Sequence, residues 1–438
     1  MLIKARLILN NFFSPTEAGV LYRFAFQALS VRLIGLLTGF LFTWMVAKYC
    51  GAGVLGIITI CTATLNIAGT LCKWGIDIAA SRIIAECDAK QQHNLINSFY
   101  KSAYFRVFIQ GLLGTIVLIL ARNYIQAYLI KQSISEYILM INYICLIPIS
   151  FILFNAESLR GLRRVTYYTF FATASISTLS TIMLSVALLL QLPAMVAIYI
   201  QFGSILISFI LSQYCWHLFK PSISSQEKFS MAAIWKVAHP MQGTALLQLI
   251  MAWMAVLMLS YFFNENISGI FNTLIRITAL VNFGLFAIIA YAMPRITAAF
   301  VSSDMIALKQ ITKISARLNV MFASVVTGFL LLFNEFILSI FGNYFLQYRH
   351  SFIILIIGQF VITCTGIPAQ VLNATDRQPE LRNVSAIAAS VFLLVCMATI
   401  PLHGIIGAAY ATLSCQLTNQ IIAMFYVKKY FNINTFIH

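Results

Sequence analysis

VRLIGLLTGFLFTWMVAKYCGAGVLGIITICTATLNIAGTLCKWGIDIAASRIIAE, residues 31–86, is the stretch that decides the fold. It contains two apolar runs, near 26–47 and 51–72, each about the 20 residues a helix needs to cross hydrocarbon. Only a few residues around Lys48 and Cys50 separate them, so the reading is one crossing, a tight turn and a second crossing. Gly51 to Gly56 (GAGVLG) has the GxGxxG spacing, but no strand precedes it and no βαβ unit surrounds it; a turn between spans explains it better than a nucleotide site. Gly35 and Gly39 form a GxxxG pair, which predicts close helix packing. Beyond Lys73, WGIDIAASRIIAE keeps its apolar residues on one helical face, an amphipathic extension of the second helix.

The same pattern runs outward through all 438 residues, of which 61% are hydrophobic, 13% aromatic and only 9% charged. A soluble domain carries roughly 25% charged residues. With a mean hydropathy of +0.90, the chain lacks the polar surface to cover a water-soluble globule. Further spans are expected near 104–121, 137–155, 168–190, 195–216, 238–262, 268–293, 318–340, 352–373, 383–401 and 405–427. Twelve helices of about 21 residues use roughly 250 residues, which leaves no room for a soluble catalytic domain. The expected fold is an all-α polytopic membrane protein of about 12 transmembrane helices.

Lysine and arginine number 28 against 12 aspartates and glutamates, a net charge of +16. In a soluble chain that excess would suggest nucleic acid; in a membrane chain basic residues gather in cytoplasmic loops. About 22 lie on the side of the two tails, among them Lys4, Arg6, Arg23, Lys73, Arg82, Arg160, Arg163, Arg164, Lys228, Arg377 and Lys428, against about four (Lys48, Arg122, Lys131, Arg349) on the other. Both termini are therefore expected in the cytoplasm. The longest connection expected on that side is Lys73 to Ala103, and the longest outside loop is Arg122 to Glu136. The stretch Met1 to Arg23 has no long apolar core before a cleavage site, so no removed signal peptide is expected. The nine cysteines, mostly within apolar runs, read as buried reduced thiols.

The chain also resembles itself at a shift of 213 residues, which pairs Gly56 with Gly269, Arg82 with Arg295, Leu159 with Leu372 and Arg164 with Arg377. Met45, Ile83 and Ala85 meet Met258, Ile296 and Ala298; after a two-residue slip, Ala197 and Tyr199 meet Ala408 and Tyr410. These matches predict two pseudo-symmetric six-helix bundles, 1–216 and 217–438. An even number of helices per copy keeps both copies in one orientation, the architecture of transporters that work by alternating access. Chance similarity between apolar helices is the competing explanation.

Intramembrane charge is costly and points to a cavity or a partner. Arg32 in the first span and Arg276 in the eighth are therefore candidate substrate-binding residues, with snorkelling to the interface as the alternative. An arginine in a cavity suits a diphosphate, which it can grip bidentately. Asp77, Glu157 and Glu335 are candidate ion-coupling residues; pairing with a neighbouring arginine is the bland alternative. Pro148 and Pro368 are expected to kink their helices. No catalytic residues, no metal site and no cofactor are expected. With no Walker A pattern there is no ATP site, so the expected energy source is H+ or Na+.

LFTWMVAKYCGAGVLGIITI and WGIDIAASRIIAE resemble the opening of the Wzx-type O-antigen and polysaccharide flippases, which belong to the multidrug/oligosaccharidyl-lipid/polysaccharide exporter superfamily. The matching positions are Ala47, Lys48, Gly53, Gly56, Gly75, Asp77, Arg82 and Glu86. SGIFNTLIRITALVNF and YAMPRITAAF resemble later family segments at Gly269, Asn272, Arg276, Pro294 and Arg295, as do TDRQPELRN, where Asp376 replaces the usual glycine, and PLHGIIGAAYAT. The resemblance implies a flippase that moves polyprenyl-diphosphate-linked oligosaccharide repeat units across the bacterial inner membrane, with membrane lipids and the polysaccharide polymerase machinery as expected partners and no nucleic acid. A diphosphate headgroup calls for a basic, polar cavity, and the two intramembrane arginines have the fitting sign. A cation-coupled multidrug exporter of the same superfamily is the alternative, for which a carboxylate-rich cavity would be expected. A membrane enzyme of polysaccharide assembly would need a sizeable loop bearing acid/base residues. A channel would need a selectivity segment.

Overall fold

The computed structural model describes residues 17–126, 134–221, 231–375 and 377–433. Lys4, Arg6, Lys131, Lys228 and Asp376 lie outside the described residues. The main helices are α1 (Glu17–Met45), α2 (Gly51–Lys73), α3 (Ile76–Ala89), α4 (His93–Leu120), α5 (Glu136–Ile144), α6 (Leu146–Gly161), α7 (Ser175–Leu189) and α8 (Val196–Phe219). They continue as α9 (Met231–Phe262), α10 (Glu265–Thr278), α11 (Phe283–Val301), α12 (Met305–Leu332), α13 (Asn334–Phe341), α14 (Arg349–Cys364), α15 (Pro368–Ala374), α16 (Gln378–His403) and α17 (Ile405–Phe431). Among the described residues, ten stretches are long and apolar enough to cross a membrane. The first, Gln27–Lys73, holds two of the expected spans, and α17, 27 residues long, falls on the twelfth. The protein is an all-α, multi-pass membrane protein.

Backbone chemistry sets the breaks. Gly51, at φ +89°, stops the first crossing, a conformation that costs glycine little. The remainder of GAGVLG is the first turn and a half of α2, so the turn is shorter than the sequence suggests. Gly75 (φ +77°) separates α2 from the amphipathic extension. That extension is a helix of its own, α3, burying Ile76, Ala79, Ala80, Ile83, Ile84 and Cys87 along one face. Burial pushes the Cys87 thiol up, with Glu86 adding to the effect. The long loop expected from Lys73 to Ala103 is therefore corrected: α3 and α4 fill it, and only residues 90–92 link them. Pro148 stands in the first turn of α6, just after the chain breaks at Cys145, where its ring would crowd the carbonyl of Ile144. Pro368 opens α15 after Gly366 at φ +83°, so the tenth span is interrupted.

The chain divides into two compact units. One comprises Met1–Phe42, Ala68–Leu120 and Tyr137–Gln242; the other comprises Thr43–Ile67, Ala121–Glu136 and Gly243–His438. In the first unit α6 is the central helix, packed against α3, α4 and α8. A Cβ at Gly161 would stand 2.7 Å from Ile84 Cβ, so glycine permits the close crossing with α3. Inside this unit the Tyr100 hydroxyl donates to Asn155 Oδ1 (2.6 Å), and Asn155 Nδ2 donates to Ser212 Oγ (3.0 Å). Such pairing is what buried polar groups need where water is absent. The expected close packing at Gly35 is present: a Cβ there would lie 2.9 Å from Ala174 Cβ.

The second unit is built on the α16–α17 hairpin, which turns at Gly404 (φ +55°). Its core joins Ile296, Leu308, Val371, Leu372, Val384, Ala423 and Val427. In the same unit α2 crosses α10 with no room for side chains. A Cβ on Gly269 would lie 2.7 Å from Gly56 N, and one on Gly56 would lie 2.0 Å from the Glu265 carbonyl oxygen. One helical turn on, Asn272 Nδ2 donates to Thr59 Oγ1 at 3.3 Å, and these two residues are also 213 apart. The contacts Gly56–Gly269 and Thr59–Asn272 thus join positions at the spacing of the internal repeat. Large apolar side chains cover the outer faces, among them Leu113, Leu120, Ile210, Val325, Leu332 and Leu394, as hydrocarbon demands.

Candidate functional site

At the Lys73 end of α2, the first unit gathers a set of charges. Lys73 Nζ lies 2.7 Å from Asp77 Oδ2, the two side chains 4% and 14% exposed. Asp77 lies one helix start beyond Lys73 because Trp74 and Gly75 turn the chain sharply there. Across from it, on α6, the Glu157 carboxylate accepts from Ser81 and pairs with Arg160 Nη1 at 3.4 Å. Tyr168 donates its hydroxyl to Glu157, and the Arg160 guanidinium stands 5.0 Å from the centre of the Tyr168 ring. Arg32, half-buried on α1, is in electrostatic reach of Tyr168. Three of the residues singled out from the sequence, Arg32, Asp77 and Glu157, therefore meet in one network, joined by Lys73, Arg160 and Tyr168. It combines two carboxylates with three cations, a set able to take up or release a proton or to meet an anionic headgroup.

Arg276 sits on α10 in the second unit. Its helix buries Ile270, Phe271, Leu274 and Ile277 and leaves Asn272, Ile275 and Arg276 on the more open side. Arg276 Nη1 donates to Thr43 Oγ1 at 2.8 Å. A partly open face that carries asparagine and arginine within a spanning segment suits a polar environment better than lipid. Glu335 belongs elsewhere. It stands in the first turn of α13, beyond the spanning helix α12 on which the sequence placed it, and is exposed and paired with Arg349.

A further polar region lies wholly within the second unit. The expected eighth span is broken by a 3-10 turn, Ala279–Asn282, between α10 and α11. Asn282 Nδ2 there donates to Gln359 Oε1 (2.5 Å), and Thr363 Oγ1 donates to Asn282 Oδ1 (2.9 Å). Gln359 Nε2 then donates to Gln416 Oε1 at 3.1 Å. These carboxamides border a cavity of about 340 Å³ that Asn419, Gln420 and Phe392 also line.

Comparison with known proteins places this architecture. Residues 21–300 match the polysaccharide biosynthesis protein family. The chain belongs to that family. No curated protein sequence matches it. Among solved structures it is similar to an inward-facing multidrug resistance MATE family transporter of the MOP superfamily, at a TM-score of 0.74 and 14% identity over 93% of this chain and 98% of that one. It is also similar to the MATE multidrug transporter DinF-BH, at 0.69 and 14% over 95% and 96%. An outward-facing MATE family transporter of the same superfamily gives 0.62 and 13% over 93% and 95%. The chain thus has the fold of these MATE family transporters.

In this family member the charged candidates were visible in the sequence because charge stands out in apolar runs. The carboxamide cavity was not. Asn282 and Gln359 are isolated neutral residues far apart in the chain. The one available signal was Gln416, Asn419 and Gln420, spaced to share one face of an apolar helix.

Proposed function

We propose that this protein is a flippase for polyprenyl-diphosphate-linked oligosaccharide, moving O-antigen-like repeat units from the cytoplasmic to the outer leaflet of the bacterial inner membrane by alternating access. The observation that carries this reading is the polysaccharide biosynthesis family match over residues 21–300 of a chain with a transporter fold. Arg276, on the polar face of α10, and Arg32 hold the diphosphate in this reading, because a guanidinium grips phosphate oxygens in pairs. The prenyl tail stays in lipid. Coupling is to a proton or Na+, and Asp77 and Glu157, which share one network, carry the coupling charge. Both termini face the cytoplasm, and the polymerase that consumes the exported unit is a partner. The second reading, a cation-coupled multidrug exporter, draws on the likeness to MATE transporters.

Deletion of the gene separates the two. The flippase reading expects lipid-linked oligosaccharide to accumulate on the inner leaflet and surface glycan to disappear, with both restored by the wild-type protein. Normal surface glycan with increased sensitivity to cationic drugs would favour the exporter instead.

A further inference from the structure

We infer that the cavity of the second unit binds one uncharged sugar residue, gripped by the carboxamides of Asn282, Gln359, Gln416, Asn419 and Gln420 and seated against Met251. The choice of a sugar over another neutral polyol rests on the polysaccharide reading above; the choice of a neutral, hydroxyl-rich ligand rests on the cavity alone.

Size comes first. A cavity of about 340 Å³ lies within the range of roughly 300–1,000 Å³ typical of small-molecule sites. It equals the liquid volume of about eleven waters, which suits a single pyranose with its hydroxyls and a few waters.

Chemistry narrows the ligand. None of the side chains lining the cavity carries a charge. A diphosphate would call for arginine or lysine, and a hard cation for carboxylates among its oxygen ligands. The walls mix apolar and polar surface, which suits an amphipathic ligand better than a purely apolar one. Five carboxamides and the Thr412 hydroxyl instead offer donors and acceptors side by side. A sugar hydroxyl is itself donor and acceptor, and neighbouring hydroxyls on a ring can bridge one carboxamide. The C–H face of a pyranose needs an apolar partner, which the half-buried Met251 supplies.

The wall is also built and held. Gln359 is 7% exposed, and its carboxamide is fixed at both ends by Asn282 and Gln416. Thr412, Gln416, Asn419 and Gln420 form a stripe on one face of α17, at i, i+4, i+7 and i+8. Buried polar groups within a spanning bundle are costly unless paired. Yet Gln420 Oε1 is buried with no hydrogen-bond partner among the described residues. Gln420 lines the cavity, and a rotation of its carboxamide towards a ligand hydroxyl would satisfy it.

The test uses the purified full-length protein in lipid nanodiscs with free N-acetylglucosamine, glucose and galactose as probes, read by saturation-transfer NMR. At least one of these sugars should receive saturation at its ring protons. Gln416→Leu and Gln420→Leu should each weaken binding by about tenfold, the cost of losing a buried hydrogen-bond partner, and Arg122→Ala should leave it unchanged. Gln420→Leu removes an unpaired polar atom and breaks no bond in the chain of carboxamides, so it should fold and melt no lower than wild type. No transfer to any of the three sugars, or equal transfer in wild type and in Gln420→Leu, would overturn the assignment. Sugar binding in a protein whose deletion leaves glycan export intact would instead overturn the flippase reading and leave the cavity assignment standing.

Discussion

Lys73 and Asp77 lie four positions apart, the lysine buried and the aspartate half-buried, with a 2.7 Å contact. Removing one member of a buried ion pair leaves the other charge uncompensated, a loss of about 3 kcal/mol. Lys73→Ala should therefore lower the thermal midpoint clearly, while Lys73→Ala with Asp77→Ala should recover most of it; equal loss in the single and double variants would contradict the pairing. Arg276 calls for a different measurement. Its fork reaches Thr43, and on the flippase reading it also reaches phosphate. A charge-assisted contact of this kind contributes roughly 1.5–3 kcal/mol. Arg276→Ala should thus cut glycan export by roughly 10- to 100-fold at unchanged protein level. Arg276→Lys should recover part, since lysine keeps the charge and loses the fork, and Arg122→Ala should be silent. Normal export by Arg276→Ala would remove the residue from the substrate path. The sequence exposed these charges because they interrupt apolar runs. It could not show that Glu335 pairs with Arg349 beyond the end of α12, because a helix end inside the apolar run LLLFNEFILSIF leaves no mark in composition.

Between elements, the crossing of α2 and α10 is the contact with least tolerance. The backbone of α10 occupies the place where a Gly56 side chain would go. Gly56→Ala or Gly269→Ala must push the helices apart, and overpacking of this kind costs about 1–3 kcal/mol. Both variants should therefore melt earlier and transport less, whereas Gly243→Ala, where a Cβ meets nothing within 4 Å, should do neither. Matching losses at Gly243 would contradict the role given to the crossing. The repeat in the sequence paired Gly56 with Gly269 before their contact was visible, since both positions must lack a side chain for the same reason. The break at Asn282 was hidden. FGLFAIIAYA continues the apolar pattern beyond it, and only tertiary packing against Gln359 and Thr363 gives the turn its purpose.

For the whole molecule, composition alone was enough to place the chain in a membrane, and apolar run lengths located the expected spans on helical segments, several of them broken within the span. Span counting cannot give orientation, which rests on basic residues: about 22 on the tail side and about four on the other. Reporter fusions after Lys429 and after Gln191 should accordingly report opposite sides of the membrane, with Lys429 cytoplasmic; signals from one side would contradict the orientation. The fold shared with MATE transporters carries several substrates, so fold by itself does not choose between lipid-linked glycan and drug. Reconstitution makes that choice most directly. The purified protein would be placed in vesicles holding polyprenyl-diphosphate-linked oligosaccharide, and the share of glycan open to an external glycosidase followed with time. The flippase account predicts that glycan protected in protein-free vesicles becomes accessible in those holding wild-type protein and stays protected with Arg276→Ala. Glycan that stays protected with wild-type protein, in vesicles that do transport a cationic dye, would contradict it.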